Sequence, residues 1–175
     1  RSADLLQRIR PGETARYDHD WVLMLDDWTQ GVGQDPQQIF DGLVSAGQRS
    51  DQGGMMDMGG MDMGSDGGDV TYPLYLINGR AAADPDVLRV KPGDRIRVRI
   101  INAAADTIFT VAVGGHRMTI THTDGYPVQP VDAQSLRIGM GERYDVVVQA
   151  GDGVFPVVAQ PAGKSGYAMA VLRSA

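Results

Sequence analysis

Leu88-Arg89-Val90-Lys91-Pro92-Gly93-Asp94-Arg95-Ile96-Arg97-Val98-Arg99-Ile100-Ile101-Asn102-Ala103 is the stretch that decides the fold. Pro92 fixes its own φ and Gly93 tolerates a left-handed backbone, so the pair predicts a tight turn of type II. Strict alternation follows: Ile96, Val98 and Ile100 share one face, and Arg95, Arg97 and Arg99 share the other. This is the pattern of a sheet strand with one apolar face. Asn102 is placed to bond neighbouring backbone groups where the strand ends.

Working outward, the same grammar repeats. Upstream, Trp21-Val22-Leu23-Met24-Leu25 is apolar on both faces and predicts a buried strand that stops at Asp26-Asp27-Trp28. Tyr72–Ile77 is a second strand, closed by the Asn78-Gly79 turn. Downstream, strands are expected at Ile108–Val113, Arg117–Thr121, Ser135–Ile138, Arg143–Gln149, Val154–Ala159 and Tyr167–Arg173. Glycine turns separate them, among them Gly114-Gly115, Asp124-Gly125 and Gly139-Met140-Gly141. One helix interrupts the strands. Asp35 is its N-cap, Pro36 its first position and Gln38 the capping-box partner; Ile39, Phe40, Leu43 and Val44 form one apolar side, and Gly47 ends it. Many short strands and one short helix predict an all-β, antiparallel Greek-key sandwich.

Between residues 45 and 69 the composition changes to Gly, Met, Asp and Ser with no period of 2 or 3.6. Such a stretch cannot supply a packed core and reads as a long surface loop inserted in a single domain spanning 1–175. The chain of 175 residues has 42% hydrophobic and 22% charged residues, the range of a globular domain. No apolar run approaches the roughly 20 residues that cross a bilayer. The net charge is −6 with scattered basic residues, which argues against nucleic acid as a partner. Cysteine is absent, which excludes disulfides, thiol catalysis and thiolate metal ligands. The sequence opens at Arg1 rather than Met, so a mature, trimmed or excised fragment is expected.

Four segments together resemble the second, middle domain of bacterial three-domain multicopper oxidases of the laccase-like and copper-resistance type. They are Val22–Thr29, Tyr75–Arg80, Leu88–Ala103, and the ordered set His116–Ile120, Asp124-Gly125 and Met140–Val146. The resemblance implies a cupredoxin-like sandwich flanked by further cupredoxin domains of the same polypeptide, in an extracytoplasmic enzyme. That enzyme uses copper to oxidise phenols, amines or Cu(I) and reduces oxygen to water.

Such enzymes need a Cys-containing blue-copper site and a trinuclear cluster held by His-X-His pairs. This chain has no Cys and only His19, His116 and His122, none separated by a single residue. No catalytic residue is therefore assigned, no tightly bound cofactor is expected, and the isolated chain is expected to be inactive. His19 reads as an exposed residue near the N-terminal junction and His116 as a turn histidine. His122 shares strand parity with Met118 and Ile120, pointing inward or toward a neighbouring domain. Asp26, Asp27, Asp124 and Asp145 read as ordinary strand-end or turn residues.

The exception is the window Met55-Met56-Asp57-Met58-Gly59-Gly60-Met61-Asp62-Met63, which holds five of the nine methionines. Thioethers favour Cu(I), and glycine spacers let several converge on one ion. Met55, Met56, Met58, Met61 and Met63 are the candidate ligands, against the plainer reading of a low-complexity linker. Trp21, Trp28 and Tyr126 are candidates for exposed patches through which an excised domain would self-associate. Two other readings fit the same residues: a free-standing copper carrier, and a β-sandwich interaction module without metal.

Overall fold

In the computed structural model the described residues are 16–52 and 70–175, with the side chains of 46–52 left aside. The Met55–Met63 window lies outside them. Among the described residues twelve strands and one helix follow in order: β1 (His19–Trp28), α1 (Pro36–Gln52), β2 (Leu74–Ile77), β3 (Arg80–Ala81), β4 (Asp86–Arg89), β5 (Arg95–Asn102), β6 (Phe109–Val113), β7 (Met118–Thr123), β8 (Tyr126–Ala133), β9 (Leu136–Ile138), β10 (Arg143–Gln149), β11 (Val154–Pro161) and β12 (Ala168–Arg173).

They form a seven-stranded sheet, β3-β2-β1-β5-β10-β7-β8, and a five-stranded sheet, β4-β12-β11-β6-β9. After β5 the chain passes to the second sheet for β6, returns for β7 and β8, crosses for β9, returns for β10 and crosses again for β11 and β12. The all-β sandwich is as expected, but the sheets are mixed: β1 runs parallel to β5, and β4 parallel to β12. A parallel pair needs a long crossover, and α1 with β2–β4 supplies one between β1 and β5.

The alternation of β5 is realised as read, with Ile96, Val98 and Ile100 buried in the core beside Phe109, Val146 and Leu172. Gly93 has φ of 87° in the turn before it. β1 departs from expectation, because it is buried on one face only. Trp21, Leu23 and Leu25 enter the core, while Val22 and Met24 are exposed at 39% and 46%. Its apolar outer face had suggested a fully buried strand, but no layer covers that face among the described residues. Trp21 is accordingly core rather than patch, with its Nε1–H donating to Asp86 Oδ2 at 3.2 Å.

Asn78 shows how β1 is completed. The β1–β2 ladder ends at the Leu25–Ile77 pair. Beyond it, Asn78 Oδ1 accepts from the Met24 amide at 2.8 Å and Nδ2 donates to the Val22 carbonyl at 2.9 Å. The side-chain amide thus extends the ladder in place of backbone. Its φ of 54°, followed by 73° at Gly79, makes the tight hairpin into β3.

The capping box of α1 forms as read: Gln38 N–H donates to Asp35 Oδ1 at 2.8 Å and Asp35 N–H to Gln38 Oε1 at 3.0 Å. The helix does not stop at Gly47 but continues to Gln52, so the first eight residues of the expected 45–69 loop are helical. A mid-helix glycine costs only about 1 kcal/mol, and Ala46, Gln48 and Arg49 around it are acceptable or good helix formers. Strand β8 was not anticipated. Pro127 and Pro130 argue against a central strand, and β8 is instead an exposed edge strand, where proline is tolerated.

Candidate functional site

The end of β1, the start of α1 and the loop after β5 enclose an open cleft of about 530 Å³. Trp28 and the α1 side chains Ile39, Phe40 and Leu43 supply its apolar wall; Asp26, Asp27 and Asp106 supply its acids. One side of α1 is apolar in sequence, with Ile39, Phe40, Leu43 and Val44. It faces this cleft, leaving Phe40 exposed at 59%, Leu43 at 45% and Trp28 at 42%.

The polar wall is built by two buried side chains that hold residues 103–107 in a tight loop. Asp27 accepts from the amides of Ala105 at 2.9 Å and Asp106 at 3.1 Å, and from Thr107 Oγ1 at 2.6 Å. Asn102 accepts from the Ala104 amide at 3.0 Å and donates to the carbonyls of Thr107 at 2.8 Å and Ile138 at 3.0 Å. Asp106 is thereby turned to the cleft. Its Oδ2 accepts from the Val70 amide at 2.8 Å and from Lys164 Nζ at 3.3 Å. Lys164 also lies over the Tyr72 ring at 5.5 Å. Val70, the first described residue after the methionine window, is thus tied to the cleft wall.

Removal from water pushes the Asp26 carboxyl above its ordinary value; the Asp27 amide bonded to it opposes this and the neighbouring Asp27 charge adds to it. The hydroxyls of Tyr72 and Tyr75 are raised for the same reason, burial first and then the charge of Asp27. The cleft is therefore an open, acidic and aromatic concavity.

The three histidines do not converge. His19 is not simply exposed: its Nε2 lies 2.8 Å from Asp94 Oδ2. The Lys91 amide, and then His19, hold the Asp94 carboxyl below its usual range. His116 is a turn residue as read, clamping two turns together: Nε2 accepts from the Gly151 amide at 2.9 Å, which leaves Nδ1–H to donate to the Gly114 carbonyl at 2.7 Å. His122 is displaced from its expected parity by a bulge in β7, which pairs it with Asp145 on the outer face of the large sheet. Asp145 is itself no turn residue, but is ion-paired to Arg97 at 2.6 Å inside β10. Among the described residues no group of three or more His, Asp or Glu side chains is arranged to hold a metal ion. These residues therefore do not fit either a blue-copper or a trinuclear centre.

A two-layer sandwich of this topology defines a cupredoxin-type domain, and among its described residues no copper ligand set is assembled. The multicopper oxidase family model matches residues 19–175, and the chain belongs to that family. It is 51% identical over 167 residues to the multicopper oxidase MmcO of Mycobacterium tuberculosis, covering 93% of this chain and 33% of that protein. It is 30% identical over 194 residues to copper resistance protein A of Pseudomonas syringae pv. tomato, covering 96% of this chain and 31% of that one. Among solved structures, the multicopper oxidase Fet3p superposes with a TM-score of 0.73 at 15% identity, over 94% of this chain and 29% of its own, which bears on the fold alone. The chain thus spans about a third of the length of the curated relatives it matches.

Proposed function

We propose that this domain is the copper-free middle unit of a longer extracytoplasmic multicopper oxidase, holding the flanking cupredoxin domains in register. The Trp28–Phe40–Asp106 cleft is the docking surface for a flanking domain, and the domain lines part of the substrate approach. The observation that carries this reading is the open apolar wall: α1 and the end of β1 present Trp28, Phe40 and Leu43 to solvent beside a desolvated carboxylate. Apolar side chains grouped in this way mark a contact surface. The full-length enzyme would oxidise small phenols, amines or Cu(I) and reduce oxygen to water, using copper held by residues outside this chain. An excised domain would self-associate through the same surface.

The methionine window adds a second role. Met55, Met56, Met58, Met61 and Met63 would hold Cu(I) weakly through their thioethers, because a glycine-rich segment loses chain entropy when it closes on an ion. Support comes from the chemistry of the donors and from the anchoring of Val70 at the acidic cleft.

One copper titration tests both parts. With Cu(II) and a phenolic substrate the 175-residue chain should develop no intense blue thiolate band and consume no oxygen above background. With Cu(I) and a competing chelator it should retain copper that a variant with all five window methionines changed to leucine releases. A blue band or sustained oxygen uptake would overturn the first part, and equal Cu(I) retention by the two proteins the second.

A further inference from the structure

The outer face of the large sheet carries a row of cationic and amide side chains that the oxidase reading does not use. Arg95 on β5 lies directly opposite Gln149 on β10. Continued two residues past the Val147–Thr119 pair, the β10–β7 register sets Arg117, the residue just before β7, beside Gln149. The three residues therefore stand abreast across β5, β10 and the entry to β7, with about 10 Å between the outer two Cα positions from the usual strand spacing. All three line one open cleft of about 850 Å³ on that face, together with the Thr119 and Thr121 hydroxyls.

Charge pairing separates this row from its neighbours. Further along β5, Arg97 meets Asp145 at 2.6 Å and Arg99 meets Asp20 at 2.6 Å. Among the described residues the guanidiniums of Arg95 and Arg117 form no ion pair; Arg95 is steadied over the Tyr17 ring at 5.5 Å, and its backbone amide donates to Asp18 Oδ2 at 2.7 Å. The carboxylate in the cleft lining, Asp132, accepts from Thr119 Oγ1 at 2.7 Å. His116 also lines the cleft, but both its ring nitrogens are engaged with backbone. A chain of net charge −6 thus presents two aligned arginines with an amide donor between them, against the single Asp132 carboxylate in the described lining of the cleft.

We propose that Arg95, Gln149 and Arg117 form an oxyanion-binding site, taking a carboxylate or phosphate group between the two guanidiniums. Guanidinium forks match planar or tetrahedral oxyanions, and the Gln149 amide offers a further donor at the centre of the row. Two sources share this chemistry: a free small oxyanion, and an acidic side chain of adjoining polypeptide.

The test is calorimetric titration of the 175-residue chain with inorganic phosphate and, separately, with the blocked peptide acetyl-Gly-Asp-Gly-amide, at ionic strength held constant with sodium chloride. Arg95→Gln, Arg117→Gln and the double variant are compared with Arg89→Gln, a control on β4 of the other sheet. Each single change is expected to weaken binding about fivefold, the upper end for an exposed charge pair, and the double change more than either. Arg89→Gln should bind as the parent does, and thermal melts report whether each variant is folded. Tighter phosphate binding assigns the site to a free oxyanion, and tighter peptide binding to a side-chain carboxylate. No saturable heat with either probe, or a folded double variant within twofold of the parent, would overturn the proposal.

Discussion

Replacing Asp27 by alanine is expected to destabilise the domain by about 3–5 kcal/mol, the largest single effect predicted for a side chain outside the apolar core. Asp27 is only 6% exposed and accepts three hydrogen bonds, from the amides of Ala105 and Asp106 and the hydroxyl of Thr107. Alanine would leave all three donors without that acceptor. Each such loss costs about 1–3 kcal/mol when water cannot enter, and the open side of the cleft limits the sum. Asp27→Asn separates charge from geometry, since it keeps one acceptor oxygen and turns an NH2 group on the remaining donors. It should cost less than alanine but more than 1 kcal/mol. Urea unfolding at neutral pH measures both, and a loss below about 1 kcal/mol for alanine would contradict the role assigned to Asp27.

Asn102→Ala is expected to cost about 2–4 kcal/mol. The residue is 1% exposed and satisfies the Ala104 amide and the carbonyls of Thr107 and Ile138. It grips the same loop as Asp27 from the opposite side and ties it to β9. The two substitutions should therefore be non-additive: once the loop has loosened in one variant, the second change removes less than it does alone. Asn102→Asp should be at least as harmful as alanine, because it would set carboxylate oxygens against two carbonyls that now accept from Nδ2. Full additivity of Asp27→Ala and Asn102→Ala in the double variant would contradict the shared-loop account.

These two residues also mark where the sequence stopped being readable. The alternation of Arg95–Asn102 needed only period and parity, and β5 formed as that pattern dictates. The Asp35–Gln38 cap was equally local, with both partners within one turn. Asp27 read as an ordinary strand-end acid because its partners lie 78 to 80 residues away. Nothing in its neighbourhood names them. The parity of His122 failed for a different reason: one extra residue in β7 flips every later side chain, and a bulge leaves no clear mark in Thr119-Ile120-Thr121-His122. Val22 and Met24 mislead by composition, since an apolar outer face looks the same in sequence whether another layer of this domain covers it or not. The lack of cysteine and of His-X-His pairs was legible at once, because ligand types can be counted without knowing the fold. The cleft was not, because its walls come from β1, α1 and the loop after β5, three segments brought together only by folding.

That cleft carries the central claim, that this domain is a docking unit whose apolar wall is covered in the longer enzyme. Hydrogen–deuterium exchange tests it most directly, by comparing amides of residues 26–44 and 103–106 in the 175-residue chain and in the full-length polypeptide. The account predicts slower exchange in these segments of the longer protein, while core amides of β5 and β10 exchange alike in both. Equal exchange of 26–44 and 103–106 in the two proteins would show that nothing docks there and would contradict the account.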